Sequence, residues 1–92
     1  MWTTLRIISA LKRHLCVKTD YQFGKIWGKV NTVSSWRRKN SFMAPIEAAR
    51  AARELGMDPY PLVVSVELER ARRAKRPDDA KFWRAELKRL NG

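Results

Sequence analysis

Residues 19–40 read TDYQFGKIWGKVNTVSSWRRKN, and the order of small, apolar and basic residues there decides the fold. Thr19 is a good helix N-cap because its hydroxyl can accept from an unpaired first-turn amide, and Asp20 behind it complements the positive end of the helix dipole. Phe23 and Trp27, four residues apart, form one buried ridge, with Ile26 beside them. Gly24 would cost about 1 kcal/mol in an exposed helix, so its position predicts that another helix crosses close to it. Gly28 can take a positive φ, which ends the helix and permits a sharp turn. A second short helix is expected over residues 32–39, capped by Asn31, with Val33 and Trp36 turned inward. Its outer side is left with Thr32, Ser34, Ser35, Arg37, Arg38 and Lys39, a set with three consecutive cations and no acid.

Upstream, Thr3 or Thr4 can cap a helix that runs to Leu15, and Leu5, Ile8, Leu11 and Leu15 fall on one face. Cys16 is expected as a small buried residue at its end, since a lone cysteine has no internal disulfide partner. His14 has no acidic or metal-binding neighbour within reach along its own helix, which argues against a catalytic or metal role. Downstream, Pro45 suits the first position of a helix ending at Leu55, with Ile46, Ala49, Ala52 and Leu55 repeating every three residues and Gly56 closing it. In the next segment Leu62, Val64 and Val66 alternate as in a strand, whereas Val64, Leu68 and Ala71 keep helical spacing. The strong helix formers from residue 67 to 76 favour helix. Pro77 breaks the chain, Asp78 and Asp79 open a last helix, and Ala80, Trp83, Leu87 and Leu90 form its apolar stripe.

These elements predict an all-α fold: a compact bundle of five to six short helices in which helices 2 and 3 form a helix-turn-helix. The 92 residues, 45% of them hydrophobic, make one domain with a single core. Residues 59–90 are the candidate dimerisation element. The N-terminal MWTTLRIISALKRHL resembles a targeting peptide only superficially, because Arg6 and Lys12 interrupt its apolar run and no stretch approaches the ~20 apolar residues that span a bilayer. A cytoplasmic protein with no membrane association is expected.

The net charge of +11 points to a polyanionic partner, and its distribution is uneven. Residues 1–40 hold nine basic side chains against one acid, Asp20, a net +8, while residues 41–92 carry only +3. The first half is therefore the expected electrostatic footprint and the second an ordinary solvated surface. No glycine-rich phosphate loop, metal-spaced Cys or His group, or nucleophile beside the single histidine is present, so no enzyme activity, metal, cofactor or small-molecule substrate is expected. Glu67 with Glu69 and Asp78 with Asp79 read as solvated surface acids.

At Phe23-Gly24, Trp27-Gly28 and Thr32-Val33-Ser34-Ser35-Trp36 the sequence resembles the Cro/CI-like helix-turn-helix family of phage repressors. More weakly, VKTDY, AARELGMDP, ELERAR and FWR look like small phage-related proteins of filamentous phages and proteobacterial prophages. The resemblance implies that Asn31, Thr32, Ser34, Ser35 and Arg38 face bases, with Thr19, Gln22, Arg37, Lys39 and Asn40 closer to phosphates and Lys29 at the turn. Five residues separate Gly28 from Val33 where that family has six, so either the turn is one residue shorter or the second helix ends differently.

Small hydroxyl side chains let a helix approach the major-groove floor, and arginines reach guanine edges or phosphates. The expected function is a sequence-specific transcriptional regulator, a repressor acting as a homodimer on double-stranded DNA. Two rival readings are an excisionase-like architectural protein, which a strand at residues 62–66 forming a wing would support, and a protein-interaction module that inhibits or recruits a host factor.

Overall fold

The computed structural model describes residues 2–91, which form α1 (Thr4–Leu15), α2 (Asp20–Trp27), α3 (Val30–Arg37), α4 (Pro45–Glu54), α5 (Pro59–Arg73) and α6 (Pro77–Asn91). The all-α expectation holds, and the ambiguous run at residues 62–66 is helical. Asp58 caps α5 by accepting from the Tyr60 amide, and Pro59 occupies the first turn, where no amide is needed. α5 lies between α4 and α6, while α2 packs on α3 and α1 bridges α3 to α4.

The main core gathers Ile7, Ile8 and Leu11 of α1, Phe23 of α2, Val33 and Trp36 of α3, Met43, the alanines of α4, and Leu62 and Val66 of α5. A smaller cluster of Leu68, Ala71 and Ala80, covered by Trp83, joins α5 to α6. Ala48, Ala51 and Ala52 are fully buried, so α4 presents no bulk on its core face and its neighbours can approach closely.

Several expected core positions shift. In α1 the buried arc is Thr4, Ile7, Ile8, Ala10 and Leu11, while Leu5 and Leu15 are half-buried at its margins. In α4 Ile46 is 68% exposed. A strict three-residue repeat rotates backwards by about 60° at each step of a 3.6-residue helix, so Ile46 and Leu55 cannot share one face. Ile26 is 56% exposed, because the packed side of α2 is set by Phe23, Gly24 and Trp27 and lies round the helix from it.

Helices α1 to α5 all end in the same way, with a residue at positive φ whose amide bonds three residues back while the next amide bonds five back. Gly28 and Gly56 fill that position after α2 and α4, as expected, but Cys16, Lys39 and Lys75 fill it after α1, α3 and α5. Cys16 is consequently exposed, not buried: the left-handed residue that stops α1 turns its side chain away from the core.

Glu69 also departs from the solvated surface expected of it. Its Oε1 accepts from both the amide of Thr4 (3.0 Å) and the Thr4 hydroxyl (2.6 Å). The same hydroxyl accepts from the Met43 amide at 3.1 Å, which explains how Thr4 can be buried. One carboxylate of α5 thus sets a negative charge at the positive end of α1 and ties three parts of the chain together.

Candidate nucleic-acid interface

The surface is built on the close approach of α2 and α3. A Cβ placed on Gly24 would lie 2.8 Å from the Val30 Cα and 3.2 Å from its Cγ2, so only glycine allows the two backbones to come this near. That contact draws the start of α3 upstream. Lys29, not Asn31, is the N-cap residue, it makes no side-chain cap, and Asn31 becomes an exposed first-turn residue. Residues 28–29 are the whole connection between the helices, so the turn is short.

With Val33 and Trp36 buried, the opposite side of α3 falls at Asn31, Ser34, Ser35 and Arg38. Asn31 and Arg38 are exposed. Ser34 is half-buried and, with Asp20, Tyr21, Val30, Arg37 and Arg38, lines a shallow groove of about 300 Å3. Ser35 is half-buried, its hydroxyl sharing a 2.8 Å hydrogen bond with Ser41, so the loop after α3 partly covers it. Thr32 is also half-buried.

Asp20, the only acid among the first forty residues, is the electrostatic centre of this face. It accepts from Arg37 Nε at 2.8 Å and Nη2 at 3.0 Å and from Lys12 Nζ at 3.0 Å. The Arg37 hydrogen bonds, with those of Lys12 and against a desolvation cost, hold the Asp20 carboxyl down from 3.8 to about 2. The same contact raises the Arg37 guanidinium. Arg37 is therefore oriented by a carboxylate, whereas Arg38, one residue on, is exposed at the edge of the same groove.

The flanking residues divide. Thr19 and Gln22 form a reciprocal capping box: Thr19 Oγ1 accepts from the Gln22 amide, and Gln22 Oε1 accepts from the amides of Thr19 and Lys18. The Lys29 ammonium sits 3.9 Å from Glu47 of α4, towards the body of the domain. Lys39 and Asn40 are exposed at the end of α3, Lys39 at φ 62°.

Tyr21, Lys25, Arg73 and Phe42 were absent from the expected set. Tyr21 is 61% exposed beside the groove, with the Lys25 ammonium 5.4 Å from its ring centre. Arg73 of α5 donates through Nη2 to the Lys39 carbonyl at 3.4 Å and stacks 5.2 Å from the Phe42 ring, which brings the far end of α5 to the end of α3. Sequence did carry a signal for this, because five of residues 70–76 are basic, but the net charge of the whole C-terminal half hides it.

No family model, curated protein or solved structure matches this chain.

What the surface can do follows from its geometry and charge. Among the described residues no three of His, Cys, Asp and Glu gather as a metal would require, and no helix is long and apolar enough to cross a membrane. His14 finds an acid across the interface with α4, where its Nε2 is 3.4 Å from Glu54.

Proposed function

We propose that this protein binds duplex DNA through the α2–α3 unit, used as a helix-turn-helix, and acts as a sequence-specific regulator of the phage-repressor kind. The observation that carries this reading is the outward side of α3. Asn31 and Arg38 are exposed on it, Ser34 lies between them, and Lys39 and Asn40 continue past its end, while Asp20, which shares the groove, is already paired with Arg37 and Lys12. Asn and Arg are the side chains whose paired donors and acceptors fit adenine and guanine edges, and a serine between them keeps the helix surface low enough to reach the groove floor. The Asp20-held Arg37, together with Lys39 and Asn40, then serves the phosphates that fix the register. A homodimer in the cytoplasm would set two copies of α3 about 34 Å apart on one side of a palindromic operator.

Selection of bound sequences from a random duplex pool tests this directly. The expected result is an enriched motif, and Arg38→Ala should weaken binding to it by about 1–3 kcal/mol while the helical signal is unchanged. Enrichment of no motif, with purely salt-driven binding to every duplex, would remove the sequence-specific role.

Residues 62–66 are helical, so the strand that would have supported the excisionase-like alternative is not formed there. A protein-interaction module is the remaining alternative, favoured by the exposed Tyr21, Ile26, Ile46 and Phe82. Absence of duplex binding at low ionic strength would support it.

A further inference from the structure

Five of the eleven basic side chains after residue 40 fall within residues 70–76. Arg72, Arg73, Lys75 and Arg76 are all exposed around the turn between α5 and α6, and no acid intervenes before Asp78. Two observations fix that turn in space. Its backbone is locked by the Lys75 amide on the Arg72 carbonyl (3.2 Å) and the Arg76 amide on the Ala71 carbonyl (2.9 Å). Arg73 joins it to the end of α3 through the Lys39 carbonyl and the Phe42 ring. Arg73, thirty-four residues downstream of Lys39, thus brings this turn beside the basic edge begun by Arg38 and Lys39.

Lys75 adds a local signal. It stands at φ 56°, in the left-handed conformation that glycine adopts without strain and that Gly28 and Gly56 supply after α2 and α4. Lys39, at φ 62°, does the same at the end of α3. Cys16 shows that a non-glycine residue can close a helix elsewhere in this chain, so the conformation alone assigns nothing. The two helix ends that meet through Arg73, however, both carry lysine there.

We infer that the α5–α6 turn, through Lys75 and Arg76 with Arg72 and Arg73 beside them, is a second phosphate-contact site that grips the backbone of the same duplex next to the groove entered by α3. This rests on the DNA-binding reading of α3 and adds to it a contact that carries no sequence information. A rigid turn bearing several cations suits such a role, because backbone contacts fix orientation and register without reading bases.

The test is the double variant Lys75→Gly with Arg76→Gln, measured beside the unaltered protein on a random-sequence duplex by fluorescence anisotropy over a range of salt concentrations. Glycine is compatible with the backbone at position 75, so the variant keeps its fold, and its melting temperature should equal or exceed that of the unaltered protein. Each lost phosphate contact flattens the dependence of log K on log salt by about 0.9, so the slope should become shallower by about 2. The sequence preference selected from a random pool should be retained. A slope equal to that of the unaltered protein, with both binding, places the turn outside the footprint while leaving the α3 reading intact. Failure of the unaltered protein to bind any duplex overturns both.

Discussion

Replacing Asp20 by asparagine tests the electrostatic arrangement of the site, because it should lower stability and raise DNA affinity together. In the folded protein the carboxylate accepts three hydrogen bonds, two from Arg37 and one from Lys12, and its pKa falls from 3.8 to about 2. That difference corresponds to at most about 2.5 kcal/mol of preferential stabilisation of the charged form. The Asp20 side chain is 30% exposed and that of Arg37 is 43% exposed, so solvent screening reduces the effect to about 1–1.5 kcal/mol. At pH 7 Asp20→Asn should therefore melt about 5–10 °C lower, as expected for a domain of this size. A depressed carboxylate pKa contributes stability that is present above the unfolded value and is lost as pH falls through the folded one. The gap between variant and parent should thus be full above pH 4 and close towards pH 2. Effects of pH common to both proteins cancel in the difference. Thermal unfolding followed by circular dichroism at pH 7, 3.5 and 2.5 measures it. On DNA the sign reverses: freeing Lys12 and Arg37 should tighten binding to random duplex and steepen its salt dependence. A variant as stable as its parent at pH 7, or a gap that persists unchanged at pH 2.5, would refute the reasoning.

Gly24→Ala should destabilise by about 1–3 kcal/mol in urea unfolding, because its new Cβ would meet the Val30 Cα at 2.8 Å and backbone cannot yield as a side chain does. Gly28→Ala meets nothing within 4 Å and bears only the strain of φ 68°, so a cost of about 1 kcal/mol is expected; the reverse ranking would mean that α2 and α3 do not pack as described. Thr4→Val keeps the shape but removes the hydroxyl shared by Glu69 and the Met43 amide, and should cost about 2–3 kcal/mol by the same measurement. A loss below about 0.5 kcal/mol would show that water replaces those bonds.

Most of the fold was legible where a signal is local. Thr19, Asp20, Gly28, Pro45, Gly56 and Pro77 mark ends because capping and φ freedom depend on one or two residues, and the helices begin or stop beside all of them. The helix formers after residue 66 likewise outweighed the alternation from Leu62 to Val66, since fifteen residues of α5 propagate as one unit. Faces were less legible than ends. Ile26 and Ile46 are apolar yet exposed, while Thr4 is polar yet buried, because the direction a helix side faces is set by its neighbours. Thr4 is inside only because Glu69, sixty-five residues away, and Met43 satisfy it, and no periodicity within α1 contains either partner.

The candidate site shows the same division at finer scale. Inward residues Val33 and Trp36 were legible because two large apolar side chains three apart leave a short helix one way to turn. The expected start at Asn31 was displaced because its capping preference is worth about 1 kcal/mol, which the packing of Val30 on Gly24 outweighs. Moving the start two residues upstream turns Asn31 from a cap, whose side chain would be spent on its own helix, into an exposed first-turn side chain. The small residue that brings α2 and α3 together thereby also decides which polar residue is offered to a ligand. Arg37 and Arg38, adjacent and alike in sequence, are distinguished by one partner distant in sequence: Asp20 orients the first through two hydrogen bonds, and the second is exposed beside it.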